Sequence, residues 1–85
     1  MKSVKTRVTL YHSILCPRCH LAGRALAELK EDFPALEIRR VEVTRQPRTA
    51  LAAGVRMIPC IVAGTEKLRG FMLSKSEIRA FLNQL

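Results

Sequence analysis

Residues 10–29 read LYHSILCPRCHLAGRALAEL, with Cys16 and Cys19 separated by two residues and His20 directly after the second cysteine. Thiols at this spacing support three chemistries. They can cycle between dithiol and disulfide, form half of a metal site, or anchor a haem covalently when a histidine follows. A third cysteine, Cys60, and a second histidine, His12, widen the metal reading. Three thiols with His12 or His20 are a donor set for zinc or for part of an iron–sulfur cluster.

Which chemistry applies depends on the elements around the pair. VTLYHSI, residues 8–14, is rich in β-branched and aromatic residues and predicts a strand, with Val8, Leu10 and His12 on one face and Thr9 and Tyr11 on the other. Pro17 suits the first turn of a helix, where its missing N–H costs nothing. Ala22, Leu26, Leu29 and Phe33 recur at helical spacing, and Pro34 stops the run. LEIRRVEV, residues 36–43, predicts a second strand, and PRTALAAG, residues 47–54, a short helix between Pro47 and Gly54. MIPCIVAG, residues 57–64, predicts a third strand with Pro59 at its beginning, and EKLRG returns as an edge strand after Gly64. Ser74 and Glu77 form a capping box for a last helix whose apolar face is Ile78, Phe81, Leu82 and Leu85. The expected order is β-α-β-α-β-β-α, an α/β domain spanning 1–85. Strands joined through helices should run parallel, and the last two should form a hairpin.

In this arrangement the cysteine pair falls where the first strand gives way to the first helix. Cys16 then sits at a helix N-terminus, where unpaired backbone N–H groups favour a thiolate. Arg18 adds a cation two residues away. Cys19, a turn further in, is placed to attack a mixed disulfide on Cys16, which is the minimum equipment for thiol–disulfide exchange.

YHSILCPRC, a strand running into C-P-x-C, and GVRMIPCIVAG, a G-V-x-x-x-P segment, resemble the thioredoxin superfamily. In length and element order the chain is most similar to a glutaredoxin-like small redoxin. The resemblance covers nearly the whole chain and implies a thioredoxin fold with a four-stranded mixed sheet flanked by helices. It implies that Cys16 is the nucleophile and Cys19 the resolving thiol of a thiol–disulfide oxidoreductase. It also implies that Pro59 is cis and faces the cysteines and that Ile58 pairs through its backbone with an extended substrate segment. Pro17 and Arg18 read as further substrate contacts, the alternative for Arg18 being a solvated helix-start arginine. Glutaredoxins usually carry a lysine shortly before the first cysteine and acidic residues after the fourth strand. Here Ser13-Ile14-Leu15 and Arg69-Gly70-Phe71-Met72-Leu73 stand in those places.

The other readings weigh less. Haem attachment requires export, and a strand directly before the motif is out of place there, so His20 reads as a helix-surface residue. Cys60 reads as a small buried hydrophobe at the head of the apolar run CIVA. The alternative is a metal-binding protein using Cys16, Cys19 and Cys60. His12 reads as an exposed strand-end residue, although at that position it could tune the thiolate. Met57 and Met72 fit either core packing or a groove for an apolar substrate segment.

Eighty-five residues make one small domain. Fifteen Lys+Arg against seven Asp+Glu give a formal charge of +8. The basic residues are scattered from Lys2 to Arg79 and aromatics are 5%, so no stacking platform for nucleic acid is indicated and the charge reads as a solvated surface. MKSVKTRVTLYHSIL lacks the apolar core and cleavage site of a secretory signal, and no run reaches the ~18 apolar residues of a membrane span. The expected setting is a cytoplasmic monomer without cofactor. Its expected partners are a disulfide-containing protein or small-thiol substrate and a reductant still to be identified.

Overall fold

The computed structural model describes residues 6–70 and 73–85. The elements follow the expected order: β1 (Thr6–His12), α1 (Pro17–Leu29), β2 (Leu36–Glu42), α2 (Pro47–Ala52), β3 (Cys60–Ala63), β4 (Glu66–Arg69) and α3 (Lys75–Asn83). The strands form one mixed sheet in the order β2-β1-β3-β4. β1 and β2 are parallel, joined through α1. β3 and β4 form the antiparallel hairpin around Gly64, whose φ of 63° uses the left-handed freedom of glycine.

One expectation of direction needs correcting. β3 follows a helix, yet it pairs antiparallel to β1. The cause is the length of α2, which has six residues. At ~1.5 Å per residue such a helix covers about 9 Å, whereas returning to the start of a seven-residue strand at ~3.3 Å per residue takes about 23 Å. The chain therefore re-enters the sheet from the end at which β2 left it.

Element ends also shifted, each for a local reason. β1 stops at His12 because Ser13 begins a turn: the Cys16 N–H donates to its carbonyl at 3.1 Å and the Leu15 N–H to its Oγ at 3.2 Å. α1 ends at Leu29, before Pro34, and Phe33 packs on the core from the turn that follows. α2 ends at Ala52 in a Schellman motif: the Gly54 N–H donates to Leu51 O and the Val55 N–H to Ala50 O, both at 3.0 Å, with Gly54 at φ 75°. Residues 57–59 lie outside the ladder, and β3 starts at Cys60, since Pro59 has no N–H to donate. The Ser74–Glu77 capping box forms as expected.

The sheet separates two apolar clusters. Val8, Leu10 and Ile61 face α1 and α3, packing with Ala22, Leu26, Leu29, Ile78 and Leu82. Tyr11, Val41 and Cys60 face α2, packing with Ala50 and Val55. Each fully buried Leu, Ile or Val contributes about 1.5–3 kcal/mol of transfer free energy. The larger cluster thus fixes α1 on the sheet and with it the position of the cysteines at the helix mouth. Among the described residues no helix is long and apolar enough to cross a membrane.

Candidate active site

β1, β2 and α1 place the cysteine pair at the C-terminal edge of the two parallel strands. Cys16 is the N-cap of α1, with extended backbone, and Pro17 takes the first helical position. The Cys19 N–H donates to the Cys16 Sγ at 3.3 Å, so one of the orphan donors of the helix start points at sulfur. Both cysteines are buried, at 8% and 2% exposure, Cys16 being the more accessible residue.

The two thiols are held apart in acidity. Burial opposes ionisation of Cys16, but hydrogen bonds from the Cys19 thiol and the Cys19 N–H, with the Arg18 charge behind them, outweigh it and lower its pKa from the ordinary value of 9.0. At Cys19, burial and donation of its proton to Cys16 push the pKa up to about 11. A hydrogen bond to the ionised form favours it, and the donor in that bond is correspondingly harder to ionise.

The second motif meets the first through Arg18. Its Nη1 donates to the Ile58 carbonyl at 3.4 Å, joining the residue between the cysteines to the residue before Pro59. The Ile58–Pro59 bond is cis, and Pro59 is fully buried. Ile58 is half-buried, Met57 is exposed, and both line a cavity of about 210 Å³ with Val43, Ala50, Val55 and Arg56. Pro17 is exposed at the helix start. Met72 lies outside the described residues.

Reasoning from sequence missed Glu42. Its Oε2 accepts from the Ile14 N–H at 2.8 Å, while Oε1 accepts from the Thr44 N–H at 2.6 Å, the Arg45 N–H at 3.1 Å and the Thr44 hydroxyl. These bonds, led by the Thr44 hydroxyl and the Ile14 N–H, lower its pKa to about 2. The carboxylate thereby ties the loop that leads into Cys16 to the end of β2. The available signal was an acid at a strand end followed two residues later by threonine.

The histidines and Cys60 stay apart from this chemistry. His20 Nε2 lies 3.0 Å from the Ile14 carbonyl. His12 is half-buried beside Glu42; burial lowers its pKa, Glu42 pulls the other way, and Arg40 adds to the lowering. Cys60 is 1% exposed, packed against Tyr11, Val41 and Ala50 on the α2 face, and burial raises its pKa. Among the described residues no three His, Cys, Asp or Glu side chains converge as metal ligands, so the three-thiol metal reading finds no support.

A dithiol of split acidity at the mouth of a helix, on a four-stranded mixed sheet, defines a thiol–disulfide oxidoreductase. The chain is 32% identical over 59 residues to the thioredoxin of Methanocaldococcus jannaschii, covering 68% of this chain and 69% of that protein. Its fold matches crystal structures of two further thioredoxins. Mitochondrial thioredoxin 3 from Saccharomyces cerevisiae superposes with a TM-score of 0.82 at 19% identity, covering 99% of this chain and 82% of that one. Thioredoxin O2 from Arabidopsis thaliana gives 0.81 at 16%, covering 95% and 75%. No protein-family model matches the sequence. The chain belongs to the thioredoxin superfamily. It acts on disulfide substrates and is returned to the dithiol by a reductant.

Proposed function

We propose that Cys16 is the attacking sulfur and Cys19 the resolving one in the reduction of protein disulfides. The observation that carries the assignment is the Cys19 N–H pointing at Cys16 Sγ at 3.3 Å, with the Cys16 pKa lowered and that of Cys19 raised to about 11.

The Cys16 thiolate attacks one sulfur of the substrate disulfide. The substrate S–S bond breaks, its second sulfur leaves as a thiolate, and a Cys16–substrate disulfide forms. Cys19 then gives up its proton to solvent or to the departed thiolate and attacks Cys16 Sγ. The mixed disulfide breaks, the second substrate thiolate leaves, and a Cys16–Cys19 disulfide remains. The substrate has gained two electrons and the enzyme has lost two. Formation of the mixed disulfide removes the charge on Cys16, which helps to hold the proton on Cys19 in the dithiol, so the resolving step becomes easier once capture has occurred.

Pro17, Arg18, Ile58 and Pro59 frame this sulfur and form the substrate contact in the same reading. Action as a monomer belongs to the same proposal, as does a reducing compartment such as the cytoplasm, where structural disulfides are rare and a C-x-x-C pair is more often catalytic. The test is capture by single-cysteine variants: Cys19→Ser should accumulate a mixed disulfide with a disulfide peptide, and Cys16→Ser should accumulate none. The reverse pattern overturns the assignment.

A further inference from the structure

The histidine of the C-x-x-C-H string takes no part in the exchange of sulfurs, yet it is built into the backbone around them. His20 follows Cys19 in the first turn of α1. Its N–H donates to the Cys16 carbonyl at 3.3 Å. Its ring Nε2 lies 3.0 Å from the Ile14 carbonyl, and because a carbonyl only accepts, Nε2 carries the proton. One residue thus holds the carbonyl of Cys16 and a carbonyl of the loop before it. The ring bond closes the stretch 14–20, which contains both cysteines.

Ile14 is held from its other side as well. Its N–H donates to the Glu42 carboxylate at 2.8 Å, so the residue is clamped between the end of β2 and the start of α1. The rest of the loop hangs on this residue and on Ser13: the Cys16 N–H donates to the Ser13 carbonyl at 3.1 Å and the Leu15 N–H to the Ser13 Oγ at 3.2 Å. Cys16 itself is the N-cap, with extended backbone at φ −106° and ψ 107°. Its own backbone lies outside the helical conformation, so the place of its sulfur relative to Cys19 depends on the loop that precedes it.

We propose that His20 is a positioning residue for the resolving step: its ring bond to the Ile14 carbonyl braces the loop that carries Cys16 against the helix that carries Cys19. The proposal rests on Cys16 as the attacking sulfur and Cys19 as the resolving one. In the resolving step the Cys19 thiolate attacks Cys16 Sγ, the bond from Cys16 to the substrate breaks, and the substrate sulfur leaves as a thiolate. A substrate tethered to Cys16 pulls on the loop, and the brace keeps Cys16 within reach of Cys19. The effective concentration of one thiol at the other is set by such restraint. Capture needs only an open Cys16 sulfur and does not draw on the brace. His20 therefore acts through backbone, on the second half of the cycle and on the stability of the Cys16–Cys19 disulfide.

The test uses the full chain with all cysteines in place and three variants. His20→Gln puts an amide N–H where the ring Nε2 stands, His20→Asn puts it one atom short, and His20→Ala removes the donor from a good helix former. Each is equilibrated in glutathione buffers, and the oxidised fraction of the Cys16–Cys19 pair is read by mass spectrometry after acid quenching. In His20→Ala and His20→Asn the equilibrium constant for the disulfide should fall about fivefold, the scale of one hydrogen bond, which raises the potential by about 20 mV. In a single turnover with a disulfide peptide the mixed disulfide on Cys16 should persist about fivefold longer in these two, with its formation not slowed. His20→Gln should restore both quantities, which a loss of helix stability alone would not sort in this way. Potentials and lifetimes equal to wild type in His20→Ala, or His20→Gln as impaired as His20→Ala, would overturn the brace. Absence of a Cys16 adduct in Cys19→Ser would overturn the underlying roles of the two cysteines, a failure that the His20 variants do not produce.

Discussion

The Cys19 N–H donates to Cys16 Sγ at 3.3 Å, so the two thiols of the motif are inequivalent before any substrate arrives. One sulfur is the acceptor at a helix mouth, and the other is the more buried partner that helps to ionise it. The proposed roles, Cys16 attacking and Cys19 resolving, rest on that asymmetry.

At neutral pH, alkylation of the reduced protein by iodoacetamide should label Cys16 first. Its rate should rise with pH and level off below the ordinary thiol value of 9.0, because the Cys16 pKa is lowered. Cys19, whose pKa is raised to about 11 in the dithiol, should label more slowly than Cys16. Peptide mapping of singly alkylated protein reads this directly, and label on Cys19 before Cys16 would reverse the roles.

Cys19→Ala removes the thiol donor to Cys16 but keeps the backbone N–H. The midpoint of the Cys16 alkylation profile should therefore rise while remaining sensitive to Arg18. An unchanged midpoint would mean that the Cys19 thiol plays no part in the acidity of Cys16.

Glu42→Gln weakens the acceptor that holds the Ile14, Thr44 and Arg45 N–H groups. The folded carboxyl has a pKa of about 2 against an ordinary 4.5, so its contribution is complete above the unfolded value and is lost as pH falls through the folded one. Wild type should thus melt higher than Glu42→Gln at pH 6, and the difference in Tm should shrink steadily toward pH 2. A difference that is constant over this range would contradict the role given to the carboxylate. Disulfide exchange should also slow in the variant, since the loop leading into Cys16 loses its anchor to β2.

Cys60→Ala should cost about 1 kcal/mol in denaturant unfolding, the scale of removing one small buried group. Disulfide exchange should persist, because Cys60 packs with Tyr11, Val41 and Ala50 on the α2 face. In native wild type Cys60 should resist alkylation and become reactive only on unfolding. Loss of bound zinc or iron on this substitution would instead revive the metal reading.

The parts of the site that could be read from the sequence are those fixed by local rules. Pro17 at a helix start, the Cys16 position it implies, the Ser74–Glu77 capping box and the apolar faces of α1 and α3 each depend on residues within a turn or two of one another. The buried place of Cys60 followed from strand alternation. The cis bond at Pro59 came from family resemblance, since no local rule distinguishes this proline from Pro34 or Pro47. What escaped depends on distant segments. Glu42 reaches Ile14 across 28 positions and Arg18 reaches Ile58 across 40. The antiparallel course of β3 is set by the shortness of α2, which helix–strand alternation alone does not weigh.

The central claim is that Cys16 captures substrate and Cys19 releases it. Its most direct measurement is mass spectrometry of the single variants Cys16→Ser and Cys19→Ser after brief incubation with a disulfide peptide. The account predicts a stable peptide adduct mapped to Cys16 in Cys19→Ser and no adduct at Cys19 in Cys16→Ser. An adduct on Cys19, or on Cys60 in the folded protein, would contradict it.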